Sequence, residues 1–190
     1  MFLSGDTIRD YVKKGELVYC GSKETYDPRC DQYMKSVDYL LSNIHSDNID
    51  VRLGNSFKRV KTQDIPYIDL NNPPTFEEIP QLNGDGIFLH PGDFCLATSD
   101  EYVKLPNDIM AFVDARSTIG RFGLIVQTAT FIHAGWEGRI TLELKNEAPV
   151  PIRLHPYDVV AQLVFGRLDA NAKNPYAGKY QGQNDTTAPK

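Results

Sequence analysis

One short segment of this sequence concentrates side chains that can bind a highly charged ligand. Residues 115–121 read Ala-Arg-Ser-Thr-Ile-Gly-Arg and so bring together two guanidinium groups, on Arg116 and Arg121, and two hydroxyls, on Ser117 and Thr118. Guanidinium groups and hydroxyls suit phosphate oxygens. We therefore expect a phosphate site in a turn that follows an apolar strand.

A single glutamate further along the chain can carry proton transfer. Alternation along residues 140–145 puts two leucines on one face of a predicted strand and the polar side chains on the other, namely Thr141, Glu143 and Lys145. A positioned carboxylate can act as general base and general acid. Taken alone, Glu143 is more often a solvated residue or a partner of Lys145, so the residues by themselves leave both interpretations open.

The last 22 residues have a composition of their own. After Leu168 the chain contains no Val, Ile, Leu, Met or Phe, so this segment cannot form a core. It does contain aromatic rings, a cation and amides, on Tyr176, Lys179 and Gln183 among others. We expect residues 169–190 to be a flexible C-terminal lid that closes over a ligand.

The overall charge excludes several classes of partner. A net charge of −5 and a pI near 5.3 provide no basic surface of the kind that holds nucleic acid or anionic membranes, so we expect neither partner. Apolar runs such as residues 159–165 are much shorter than the roughly 20 residues that span a bilayer. The three cysteines form no C-x-x-C pair and are odd in number, and the first residues lack a secretory pattern, which favours the cytoplasm.

These residues need a scaffold, and the sequence predicts one that is mainly β. Ser4 can cap a helix in which Ile8 and Val12 share a face and which Gly15 ends, and a second helix is expected near Tyr33–Ser42. The predicted strands, separated by Gly, Pro, Asn and Asp turns, are 49–53, 56–60, 67–70, 86–89, 94–98, 102–105, 110–115, 124–130, 139–146, 151–154 and 159–168. We expect one β domain over residues 1–168, a barrel or sandwich, with residues 19–46 as a peripheral insertion.

Four segments, taken in order, resemble the successive motifs of the dCTP deaminase family in the dUTPase-like superfamily. They are Leu105-Pro-Asn-Asp-Ile109, residues 115–124, Ala134-Gly-Trp-Glu-Gly-Arg-Ile-Thr-Leu-Glu143 and Lys179-Tyr-Gln-Gly-Gln183. The resemblance includes Ile49-Asp-Val-Arg-Leu-Gly54 and Leu89-His-Pro-Gly92. It covers nearly the whole chain except residues 19–46.

The resemblance implies a fold, an assembly and a reaction. The fold is a distorted dUTPase-like β-barrel with short N-terminal helices, and the assembly is a homotrimer with active sites at subunit interfaces. The reaction is hydrolysis of dCTP to dUTP and ammonia, with Glu143 as general base and acid, Ser117 holding the water and Arg121 steadying Glu143. The nucleotide-binding residues carried over are Arg116, Thr118, Gln127, Thr128, Ala129, Thr130, Phe131, His133, Tyr176, Lys179 and Gln183.

Metal requirements follow from the substrate and from the motifs. A triphosphate carries close to four negative charges, so Mg²⁺ is expected to bind through it, with no protein cage of its own. Zinc deaminases carry H-x-E and P-C-x-x-C, and neither motif occurs here. We therefore expect no zinc.

One position departs from the family pattern. His133 stands where the family usually has an aspartate that receives the 3′-hydroxyl of deoxyribose, and the loop before it is one residue shorter. A neutral imidazole can still accept that hydrogen bond. We expect deamination to persist and dUTP hydrolysis to weaken, while three alternatives stay open: a bifunctional dCTP deaminase/dUTPase that forms dUMP, a deaminase of dCMP or a modified dCTP, and a non-catalytic nucleotide-sensing trimer.

Overall fold

The computed structural model describes residues 1–20, 37–63, 65–81 and 86–190, and it is mainly β, with 43% of residues in strands and 11% in helices. The helices are α1 Gly5–Lys13, α2 Val37–Ser42 and α3 Ser117–Arg121. The strands are β1 Leu17–Cys20, β2 Ile49–Val60, β3 Phe76–Glu78, β4 Ile87–Leu89, β5 Phe94–Lys104, β6 Ile109–Ala115, β7 Leu124–Gln127, β8 Phe131–Ile132, β9 Glu137–Asn146, β10 Ile152–Leu154 and β11 Val159–Arg167.

Nine strands form one antiparallel sheet that curls into a half-barrel. Its main order is β7-β9-β5-β2-β11-β6-β8, with β1 also paired to β5 and β3 to β2, while β10 and β4 form a separate pair. The core lies inside the curl and includes Phe57, Leu142, Leu144, Leu163 and Phe165, each almost fully buried. The prediction of a mainly β fold with short N-terminal helices is confirmed.

The first helix forms as the sequence predicts. The Ser4 hydroxyl accepts a hydrogen bond from the Thr7 N–H at 3.3 Å, which satisfies a donor at the start of the helix. Ile8 and Val12 are buried, and Gly15 follows the last turn with a φ of 70° that favours glycine. The second helix is described only from Val37, because residues 21–36, most of the predicted insertion, lie outside the described residues.

Two pairs of predicted strands are single strands in the structure. The segments predicted within 49–60 form the continuous β2, and a register shift between Leu53 and Phe57 accommodates the polar residues that resembled a turn. The segments predicted within 94–105 form β5, which contains a bulge at Ser99–Glu101.

A buried charge pair lies at the bulge of β5. The side chain of Glu101 is fully buried and its Oε1 lies 2.5 Å from Nη2 of Arg52. Burial raises the pKa of the Glu101 carboxyl to about 7, although the Arg52 guanidinium opposes that rise. The bulge therefore places an ionisable pair, Glu101 and Arg52, inside the half-barrel.

The strand predicted at residues 67–70 is wrong. Tyr67, Ile68 and Leu70 are exposed, the segment pairs with none of the strands in the described part of the chain, and prolines lie on both sides of it. The strand predicted at 124–130 ends at Gln127, and β1, β3 and β8 were not predicted. The other predicted strands agree within two residues. No helix in the described parts of the chain is long and apolar enough to cross a membrane.

Candidate active site

Strand β9 places Glu143 on the polar face of the sheet. Leu142 and Leu144 are fully buried, whereas Glu143 is half-buried between them, as alternation predicts. Glu143 pairs in register with Leu96 of β5 on one side and Gln127 of β7 on the other. Lys145 forms an ion pair with Glu147 and not with Glu143, which was the alternative left open by the sequence.

A cavity of about 580 Å³ opens over this face. Glu143 is the only acidic residue among the described residues that line it. One wall is apolar and is formed by Phe76, Phe94, Leu96, Val113, Ile132, Trp136 and Ile140. A mostly apolar pocket with a few convergent polar groups is typical of a small-molecule site.

The turn between β7 and β8 forms a second wall. Thr128, Ala129, Thr130 and Phe131 all line the cavity, so the structure brings these predicted nucleotide-binding residues together with Glu143. The Thr130 N–H donates to the Thr128 hydroxyl at 3.0 Å, and Thr130 has a φ of 59°. The turn is therefore tight, with a side chain that bonds its own backbone two residues on.

His133 lines the cavity and stacks on the tail. Its ring is nearly parallel to the Tyr176 ring, with an interplanar angle of 7° and centroids 6.0 Å apart. Tyr176 also lines the cavity. The histidine that stands where the resemblance predicts an aspartate therefore packs against a predicted lid residue.

The tail runs along the start of β9. The Tyr176 N–H donates to the Ala134 carbonyl at 2.9 Å, the Trp136 indole N–H donates to the Tyr180 carbonyl at 3.2 Å, and the Arg139 N–H donates to the Gln183 carbonyl at 2.8 Å. These contacts bring the predicted lid residues Tyr176 and Gln183 into the lining of the cavity. Flexibility of the lid stays a prediction.

The tail also contacts the strand that carries Glu143. Nε2 of Gln183 donates to the Arg139 carbonyl at 2.6 Å and lies 3.3 Å from the Thr141 hydroxyl, two residues before Glu143. Sequence reasoning missed Thr141, Trp136 and Tyr180 as cavity residues. Alternation along β9 could have identified Thr141, which shares a face with Glu143.

The predicted phosphate-binding segment lies elsewhere on this chain. It forms α3 rather than a simple turn, and its side chains Ser117, Thr118 and Arg121 are exposed. Neither Arg116 nor any residue of α3 is among the described residues that line the cavity. Nη1 of Arg116 instead lies 3.2 Å from Oδ2 of the buried Asp50.

Two further predicted residues lie outside the cavity lining. Gln127 is exposed at the end of β7, one residue before the turn that starts at Thr128, and is paired in register with Glu143. Lys179 is exposed, with its ammonium against the Lys190 backbone oxygen and 5.2 Å from the centre of the Tyr180 ring. Within the described residues, no group of three His, Cys, Asp or Glu side chains converges.

Comparisons with known proteins agree on one family. The family model described as dCTP deaminase-like matches residues 2–168. The chain is 42% identical over 169 residues to a protein of Persephonella marina named "dCTP deaminase, dUMP-forming", a match that covers 85% of this chain and 93% of the relative. A protein of the same name from a Sulfurihydrogenibium species is 36% identical over 190 residues, covering 99% and 96% of the two chains.

Other relatives have a simpler name. A protein of Pasteurella multocida named "dCTP deaminase" is 42% identical over 160 residues, covering 76% of this chain and 82% of the relative. Among solved structures, the 2′-deoxycytidine 5′-triphosphate deaminase of Agrobacterium tumefaciens has a similar fold, with a TM-score of 0.59 and 21% identity. That match covers 86% of this chain but only 47% of the Agrobacterium chain.

The single tryptophan provides a test of the tail's position. Trp136 is 7% exposed and its indole N–H is bonded to Tyr180, so deleting residues 176–190 should hydrate the indole and shift its fluorescence emission to longer wavelength. A chain that lacks only residues 188–190 keeps this contact and serves as the control. Equal emission maxima in the two shortened chains would contradict the described path of the tail.

Proposed function

The chain belongs to the dCTP deaminase-like family, and we propose that it converts dCTP to dUMP by two hydrolytic steps, deamination followed by removal of pyrophosphate. The observation that carries the first step is the position of Glu143 in a cavity that is also lined by the turn between β7 and β8 and by the tail. The relatives named as dUMP-forming support the second step. We place this reaction in pyrimidine deoxynucleotide metabolism and in the cytoplasm.

Glu143 provides the proton transfers of deamination. It removes a proton from water as the water oxygen attacks C4 of the cytosine, and it delivers that proton to N3. It then moves the hydroxyl proton of the adduct to the amino group, so that the C4–N bond breaks, ammonia leaves and C4 becomes a carbonyl. The apolar wall formed by residues such as Leu96 and Ile140 limits competing water and strengthens these interactions.

The second step hydrolyses dUTP at the α-phosphorus, and water displaces pyrophosphate to leave dUMP. The relatives support it, and His133 is the residue on which it depends most. An imidazole nitrogen can accept the 3′-hydroxyl hydrogen bond that the family's aspartate receives. The His133 ring stacks on Tyr176, so the tail and this imidazole lie on the same side of the cavity.

We propose that the active enzyme is a homotrimer whose subunits share each site. In one chain the cavity holds Glu143, whereas Arg116 lies outside its lining against Asp50, and Ser117, Thr118 and Arg121 are exposed outside it. A neighbouring subunit that brings its own α3 to the cavity would supply the water-holding hydroxyl of Ser117 and the guanidinium of Arg121. It would also supply cations for a triphosphate.

Mg²⁺ accompanies the triphosphate in this proposal. Glu143 is the single carboxylate of the cavity among the described residues and is used for proton transfer, so phosphate oxygens and water are the fitting ligands. The ion neutralises phosphate charge, and binding of the nucleotide should weaken when a chelator removes it. The lid residues Lys179 and Gln183 contribute a charge and hydrogen bonds to the same phosphates.

The products formed from dCTP decide between the proposed function and its nearest alternative. With Mg²⁺, dCTP should give ammonia, pyrophosphate and dUMP in equal amounts, and dUTP should give dUMP, as resolved by chromatography and an ammonia assay. Accumulation of dUTP would instead establish a deaminase of single activity, which the sequence predicts from the change at position 133. Turnover of dCMP but not dCTP would overturn both.

Replacing the proposed base should remove deamination and spare binding. We expect Glu143→Gln to lower the rate of ammonia release at least about 100-fold, the usual contribution of a general base, while dCTP affinity changes little. Steady-state kinetics and calorimetry measure the two effects. Glu147→Gln, an exposed glutamate four residues away, is the control, and equal rates for the two variants would exclude the assigned role.

Mixing two inactive variants tests the shared site. Arg121→Ala and Glu143→Gln chains, unfolded together in equal amounts and refolded, should regain about one quarter of wild-type activity, because a quarter of the interfaces combine an intact Arg121 with an intact Glu143. Each variant refolded alone is the control. A mixture as inactive as its components would exclude a site built from these two residues on different subunits.

A further inference from the structure

We propose that Lys58 of β2 and Thr186 of the tail form a latch that fixes the tail over the sheet face carrying Glu143, and that both are positioning residues for catalysis. The proposal rests on the function proposed above, because it concerns how the lid residues of that site are held. Neither residue lies in the segments that carry the family resemblance.

Thr186 is the one fully buried residue of the described tail. It is 2% exposed, although the tail lacks the residues that usually form a core. Its hydroxyl donates to the Ser56 carbonyl at 2.9 Å, and its own carbonyl accepts from the Lys58 ammonium at 2.8 Å. Both partners lie on β2, so one short segment of that strand binds the hydroxyl and the carbonyl of Thr186.

Asp185 adds a charge to the same contact. Its Oδ2 lies 3.4 Å from the Lys58 ammonium, and its Oδ1 accepts the Thr186 N–H at 2.7 Å. Partial burial alone would raise the pKa of the Asp185 carboxyl, but its hydrogen bonds and the Lys58 charge outweigh burial and lower that pKa. The carboxylate is therefore charged at neutral pH and attracts Lys58.

Strand register puts this latch on the catalytic face. Lys58 lies opposite Leu96, and Leu96 lies opposite Glu143, so the three residues form one row across β2, β5 and β9. Side chains directly opposite each other on neighbouring strands project to the same face. With strands about 4.8 Å apart, Lys58 is anchored about 10 Å from the proposed base.

The latch gives the tail a second attachment point, on β2. The tail is attached from Tyr176 to Gln183 to the segment before β9 and to the start of β9, and Thr186 attaches it again two strands away. Directly after the latch, the Thr187 N–H lies 3.4 Å from the Thr141 hydroxyl of β9. A tail fixed at both ends loses much less freedom when nucleotide binds, which lowers the cost of ordering Tyr176 and Gln183.

Two substitutions test whether the latch contributes more than an ordinary surface contact does. Thr186→Val keeps the side-chain volume and removes the donor to Ser56, and Asp185→Asn removes the charge. Glu78→Gln is the matched control, because Glu78 also pairs with Lys58, at 3.3 Å and with similar exposure, but lies on β3 and not on the tail. The readouts are tryptic cleavage in the tail at Lys173 and Lys179, the melting temperature, and KM and kcat for dCTP.

We expect Thr186→Val to speed tail cleavage and to raise KM for dCTP about five- to tenfold, the effect of losing one buried hydrogen bond. Asp185→Asn should act in the same direction, while kcat and the melting temperature stay near wild type and Glu78→Gln changes nothing. Cleavage and KM equal to those of the control would overturn the latch, as would a loss confined to melting temperature. If the wild type turns over neither dCTP nor dUTP, the proposed function fails, and the cleavage rates still decide on the latch.

Discussion

The register of β9 between β5 and β7 is the constraint on which the site depends. Because side chains alternate along a strand, a shift by one residue would turn Glu143 into the core and expose Leu142 and Leu144. Each leucine contributes about 2 kcal/mol when buried, and an unpaired carboxylate in the core would cost more than either. The same packing that stabilises the half-barrel therefore fixes the acid on the cavity side, in line with Leu96.

Local patterns predicted the parts of the fold that local physics determines. The cap at Ser4, the leucines of β9 and the strand-rich body all follow from short-range periodicity. The bulge of β5 around Glu101 depends on a partner 49 residues away, Arg52, which no local pattern reveals. The exposed segment at 67–70 has the composition of a strand but lacks a neighbour with which to pair.

The sequence predicted many of the residues that line the cavity, but it did not predict how these residues are arranged in space. The motifs identified Glu143 and the residues of the turn between β7 and β8, and in the structure both line one cavity together with Tyr176 and Gln183. Sequence order did not indicate that α3 would lie outside that cavity, because the distance between two surface segments depends on how the whole sheet curls. The polar threonines of the tail carried no recognisable signal, since burial of a single hydroxyl depends on one carbonyl of another strand.

Part of the path of the tail is held by bonds between main-chain groups, such as the Tyr176 N–H to the Ala134 carbonyl and the Arg139 N–H to the Gln183 carbonyl. Main-chain bonding is insensitive to side-chain identity, so these attachments tolerate substitutions of the side chains that face the cavity. A change in what the cavity binds can therefore arise in the tail, while the buried side chains of the half-barrel stay as they are. Such a division lets one scaffold change the lining of its cavity without first losing its stability.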